Sequence, residues 1–289
     1  MKNIFVLILI LLGLSSNAWS QRPPQGIISS LDSLDKKLLD KKYFFLGETH
    51  DINSETNIHR EKLIELLINK GIRKIKLCIE NIPSYVYFLQ KYYESLLDSA
   101  NIDKPLLSKE EMMFCENLHQ YKDLATFEFI AMDLSSSDWT HRWLTQNFIK
   151  DVFESYINTK DMPINYKNRF IPSKKRLLRW AKELASDTML MASYLKRVSP
   201  VGKKYFLQEV EQIAHWGLPK TNLSNLFAHK LRDEHIASIL DSLASKLDTN
   251  EVIIATFGSA HITPIDDTTG AVYLIQKLKT IKREDIEAG

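Results

Sequence analysis

The sequence is notable first for what it lacks. Two cysteines in 289 residues, Cys78 and Cys115, are too few for a disulfide framework. Cys78 sits inside an apolar run, where a small buried hydrophobe is the default reading, and a bridge to Cys115 in an oxidising compartment stays open. Charge of one sign is also lacking. With 38 basic and 36 acidic residues the formal charge is +2, which gives a nucleic-acid or membrane-surface role no electrostatic support. There is no P-loop, no Gly-x-Gly-x-x-Gly, no His-Glu-x-x-His and no Gly-x-Ser-x-Gly elbow. Internal repeats and low-complexity segments are absent, and beyond the N-terminus no apolar run is long enough to span a bilayer.

What is present begins with Lys2, an apolar run from Ile4 to Leu14, and Ala18-Trp19-Ser20. That is the layout of a secretory signal peptide cleaved after Ser20, so a secreted or periplasmic protein is expected. Residues 21–289 then suit a single α/β domain.

Five segments read as strands: Tyr43–Gly47, Lys74–Glu80, Glu128–Asp133, Glu251–Phe257 and Ala271–Ile275. Their nearly continuous apolar runs fit a parallel sheet covered on both faces. Helices are expected between them: from Ser54 to about Lys70 with Gly71 past its end, from Pro83, and from a Ser108/Glu111 capping box. Strand–helix–strand order implies right-handed crossovers and a mostly parallel, doubly wound sheet. From about 137 to 247 only helical signals remain, over Trp139–Tyr156, Lys174–Val198, Gly202–His215 and Asn222–Leu247. This stretch reads as a large helical insertion capping one end of the sheet, either as a lid or as a plain helical layer.

Chemistry-bearing residues gather at strand ends, where open α/β sheets bind ligands. Glu48 and His50 follow the first strand within Leu46-Gly47-Glu48-Thr49-His50-Asp51, and residues two apart in extended chain project to one side. Glu80 ends the second strand and Asp133 the third, while Phe257-Gly258-Ser259-Ala260-His261 ends the fourth. Two Gly-x-x-His segments after apolar strands thus bring two histidines and two or three carboxylates to one rim. The set would bind a divalent cation, Glu48, His50, His261 and Asp133 being the candidate ligands, or act as an acid/base pair without metal. Arg232, on the helix leading into the fourth strand, would stabilise negative charge on a substrate or intermediate. His59, His119, His141, His215, His229 and His235 read as surface or core residues, and Ser259 as a nucleophile only with a base in reach.

Leu46-Gly47-Glu48-Thr49-His50-Asp51, Ile79-Glu80, Leu231-Arg232-Asp233-Glu234-His235-Ile236-Ala237 and Phe257-Gly258-Ser259-Ala260-His261-Ile262 resemble, in order and spacing, the erythromycin esterase, ChaN and TIKI/TraB superfamily. The first motif looks closest to the ChaN-like form, and where His235 stands members often place Met. The resemblance implies three activities. Esterase-type members use the first-motif histidine, here His50, as base, with Glu80 and His261 lining the site. TIKI-type members are metal-dependent proteases, and ChaN-type members bind haem in iron uptake. The expectation is therefore an exported hydrolase acting on ester or amide (peptide) substrates, with His50, Glu80, His261 and Arg232 as its catalytic set and Mn, Zn, Fe or Co as a possible ion. The alternative is a haem- or metal-binding protein, with Tyr85, Phe88, Tyr92 and Trp139, Trp143, Trp180 and Trp216 flanking the flat ligand.

Overall fold

The computed structural model describes residues 41–48, 53–98, 106–153, 173–220, 226–258, 274–282 and 285–288. The expected signal peptide lies outside them. A five-stranded parallel sheet forms the centre, in the order β3-β2-β4-β1-β5. Its strands are β1 (Tyr43–Glu48), β2 (Lys74–Ile79), β3 (Thr126–Ala131), β4 (Glu251–Gly258) and β5 (Ile286–Ala288). The helices are α1 (Asn53–Asn69), α2 (Pro83–Asp98), α3 (Lys109–His119), α4 (Trp139–Val152), α5 (Lys174–Ser186), α6 (Thr188–Leu195), α7 (Pro200–Trp216), α8 (Leu226–Ala244) and α9 (Leu274–Lys277).

Strand periodicity divides the core into two layers. Phe44, Ile75, Leu77, Phe127, Phe129, Val252 and Ile254 face one cluster, which α1 to α7 cover. Phe45, Cys78, Ile130, Ile253, Ala255 and Phe257 face the other, covered by Ile236, Ala237 and Leu240 of α8 and by Leu274. All eight residues of β4 are buried, as a near-continuous apolar run predicts for a central strand. Cys78 and Cys115 fall in different clusters and are free thiols, so they do not pair. Burial pushes both thiols up to about 12, which makes them inert hydrophobes.

Local signals set several boundaries. Ser108 and Glu111 form the expected reciprocal capping box. Gly71, at φ 97°, closes α1 with Gly71 N–H on the Ile68 carbonyl (2.9 Å) and Ile72 N–H on that of Leu67 (3.0 Å), a Schellman turn. The strand expected over Ala271–Ile275 is a correction: Leu274 begins the short α9, and the fifth strand is Ile286–Ala288. A short apolar run satisfies a buried helical turn as well as a strand, and here Leu274 packs against α8. The helix expected over Lys174–Val198 breaks at Asp187, which ends α5 and caps α6 through the N–H groups of Met189 (3.0 Å) and Leu190 (2.9 Å).

The helical stretch after β3 has a definite relation to the sheet. β3 is an edge strand, and its outward backbone groups would lie unpaired. Gln90 of α2 accepts from Phe129 N–H (2.9 Å), while from α7 the Tyr205 hydroxyl donates to the Phe129 carbonyl (2.6 Å) and Gln208 to that of Ala131 (2.8 Å). Side chains thus finish the ladder that a further strand would have supplied. Tyr205→Phe, which strips one buried donor from the edge carbonyl, is expected to cost about 1 kcal/mol in urea unfolding. A change below a few tenths would mean that the Lys204 ammonium, 3.3 Å from the same carbonyl, suffices alone.

Candidate functional site

The sheet order places the sequence motifs side by side at the carboxyl ends of four consecutive strands. Asp133 follows β3, Glu80 follows β2, Gly258 ends β4, and Glu48 ends β1 directly opposite Gly258 in register. Connections running toward β3 carry their helices on one face, and α8 returns on the other.

Arg232 comes from α8 and binds two of these ends. Its Nε donates to Asp133 Oδ1 at 2.8 Å and its Nη2 to Asp133 Oδ2 at 3.1 Å, a two-point fork. Nη2 also donates to Glu80, whose other oxygen accepts the Gly258 N–H. Asp133 further accepts the Leu134 N–H at 2.8 Å. Both Arg232 and Glu80 are almost wholly enclosed. Burial would lower the Arg232 pKa, but the charges of Asp133 and Glu80 and their hydrogen bonds outweigh it and raise it. One guanidinium thus ties β2, β3 and β4 together, and two carboxylates against it leave the rim formally negative.

Beside Glu80, on the face of α1 to α3, lies a cavity of about 310 Å³ lined by Asn57, Arg60, Asn81, Glu110, Phe114 and Thr256 among others. Arg60 stacks its guanidinium 3.9 Å from the Phe114 ring centre and bonds Asn57. Among the described residues the Thr256 hydroxyl is buried with no hydrogen-bond partner. It stands on β4 at the cavity wall.

Behind the rim, α7 locks the two loops that carry Glu80 and Asp133. Glu209 accepts from Ser84 N–H (3.2 Å), at the start of α2, and from the hydroxyls of Ser135 (2.8 Å) and Thr145 (2.7 Å). Burial raises the Glu209 pKa, against the opposing pull of those donors. Gln212 joins His235 (2.9 Å), and Ser136 joins His141 (2.8 Å). Burial lowers both imidazole pKa values, with His215 adding to the effect on His235 and Asp133 opposing, so that His235 falls to about 4.

Of the residues singled out from sequence, the structure brings Glu80, Asp133 and Arg232 into contact and sets the Glu48 backbone on β1, with β4 between it and β2. The Glu48 side chain, His50 and His261 lie outside the described residues. Among the described residues Arg232 spends Nε and Nη2 on carboxylates, which leaves Nη1 to meet a substrate charge. Both oxygens of Asp133 bond the Arg232 guanidinium, so a metal-ligand role for Asp133 would require that fork to open. His59 is exposed, His141 is half-buried and His235 is buried. Phe88, Tyr92 and Trp180 of the proposed aromatic frame are buried in the core rather than lining a slot. Sequence reading missed Asn81, Thr256, Arg60 and Glu209. Glu209 alone left a signal, as a carboxylate on the apolar helix face of Phe206, Val210 and Ile213.

No family model matches the chain, and no curated protein does. Two crystal structures are similar to it. One is a Bacillus cereus protein, 13% identical with a TM-score of 0.52, aligned over 90% of this chain and 68% of its own. The other is described as a succinoglycan biosynthesis protein, 17% identical with a TM-score of 0.53, aligned over 88% and 66%. The likeness shows the fold. At these identities it carries no activity across, and the chain spans about two thirds of the length of either protein.

Proposed function

We propose that the protein is a hydrolase that activates water at the carboxyl ends of β1, β4 and β2, on a sheet of the doubly wound, ChaN-like kind. The observation that supports this reading is the fixing of Glu80 by Arg232 and Gly258 N–H at the wall of a cavity that also receives the unpaired Thr256 hydroxyl. His50 is assigned as the base, and Glu48 and His261 as its partners in the reaction. A formally negative rim stabilises the imidazolium that forms when His50 takes a proton from water. Arg232 acts first as the holder of Glu80 and Asp133, and its Nη1 faces developing negative charge. A metal-dependent variant of the reaction would take Glu48, His50 and His261 as ligands, without Asp133. Export, as the N-terminal sequence suggests, and ester or peptide substrates complete the proposal.

The test is a panel of chromogenic esters and quenched fluorescent peptides, run with elemental analysis of the purified protein. Glu80→Gln keeps the shape and removes the charge, and is expected to lower kcat/KM by about a hundredfold with circular dichroism unchanged. Full activity in folded His50→Ala and His261→Ala variants would overturn the proposal. A saturable one-to-one Soret band, lost in the same variants and unaccompanied by hydrolysis, would establish the haem-binding alternative instead.

A further inference from the structure

The near-neutral total charge conceals an uneven distribution. Between Lys174 and Lys203 stand eight Lys and Arg against two acidic residues, Glu183 and Asp187, whereas the rest of the chain carries 30 basic and 34 acidic residues. All eight basic side chains are exposed. On α5, Leu177, Trp180, Ala181 and Leu184 face the core. At 3.6 residues per turn, Lys175, Arg179 and Lys182 fall on the opposite side as one outward stripe.

The helix that follows is unlike its surroundings. α6 reads Thr-Met-Leu-Met-Ala-Ser-Tyr-Leu, and of these residues only Tyr194 is buried. Met189 is 83% exposed and Leu190 38%. A single residue, Asp187, separates this apolar turn from the basic helix, and Lys196, Arg197 and Lys203 follow it. The Asp187 carboxylate is committed to capping α6.

Two needs coincide here: apolar side chains to be withdrawn from water, and clustered positive charge to be matched. A hydrophilic polyanion meets only the second. A bilayer with anionic headgroups meets both, because a shallow apolar insertion and a basic rim act on the same surface. We propose that α5 and α6 form a peripheral docking face for an anionic membrane leaflet. Met189 and Leu190 enter the acyl boundary, and Lys175, Arg179 and Lys182 lie on the headgroups. No helix among the described residues is long and apolar enough to cross a membrane, so attachment through this face is superficial. The proposal is independent of the hydrolase reading.

The experiment is vesicle co-sedimentation of the full chain, with all variants sharing the same N-terminal segment so that differences report on this face. Wild type is expected to partition about tenfold or more better onto vesicles containing phosphatidylglycerol than onto phosphatidylcholine alone, and to weaken with added salt. Arg179→Glu with Lys182→Glu is expected to remove that preference. Met189→Ser with Leu190→Ser leaves the charge unchanged, and is expected to lower partitioning severalfold with no change in circular dichroism. Equal partitioning of wild type and the charge-reversed variant overturns the proposal. So does a serine pair that binds as wild type does while dextran sulfate competes fully, which would make the face a polyanion site instead.

Discussion

Arg232→Met is expected to lower the free energy of unfolding by about 3–5 kcal/mol in urea titrations, the range for breaking a buried ion pair by removing one partner. The size follows from what is left behind. Asp133 and Glu80 each lose the cation that faces them, and both are enclosed too well for water to take its place. Two like charges then share one site. The same reasoning predicts partial rescue. Adding Glu80→Gln and Asp133→Asn to Arg232→Met removes the uncompensated charges, so the triple variant should be more stable than the single one, although it carries more substitutions. Arg232→Lys should fall between wild type and Met, because an ammonium restores the charge without the fork that holds both Asp133 oxygens. A loss below about 1 kcal/mol in Arg232→Met would show that the cluster is open to solvent and carries little of the fold's stability. Failure of the triple variant to exceed the single one would place the cost in lost packing rather than in charge.

The same cluster shows what the sequence made legible. Glu80, Asp133 and Arg232 lie far apart in the chain, but each has a local mark: the first two terminate apolar strands, and the third sits on the helix that leads into β4. Parallel order does the rest, because strands running one way deliver their carboxyl ends to one edge. What had no local mark was the cavity. Thr256 is an ordinary strand residue in sequence, and it matters only because β4 lies beside β2 with its hydroxyl left unpaired. Arg60 reads as a helix-surface cation until α3 brings Phe114 beneath it. The helical stretch after β3 was legible as helices but not as an edge cover. Tyr205 and Gln208 look like half-buried helix residues until β3 proves to be the outermost strand. Ala271–Ile275 misled for the converse reason, since burial demands apolar residues of a helix and of a strand alike.

Acid should destabilise this protein well above the pH at which its carboxylates titrate, and His235 contributes to the loss. In the folded chain its pKa is lowered from 6.5 to about 4, chiefly by burial. Between those values the unfolded chain binds a proton that the folded chain refuses, so stability falls as pH falls through that window. At about 1.4 kcal/mol per unit, the full window is worth about 3 kcal/mol. His141, lowered by its own burial, acts in the same direction. His235→Met isolates the contribution of His235. It forfeits the 2.9 Å bond to Gln212, so the variant should begin about 1 kcal/mol less stable near neutral pH. Its loss between about pH 7 and pH 4.5 should then be smaller than that of wild type by about 2–3 kcal/mol, and the two stability curves should approach or cross. Parallel curves would mean that the folded protein admits a proton at His235. In that case the Gln212 amide must turn to offer its oxygen to the imidazolium N–H, which gives up its 3.4 Å bond from Ser135 N–H while Glu209 keeps the Ser135 hydroxyl.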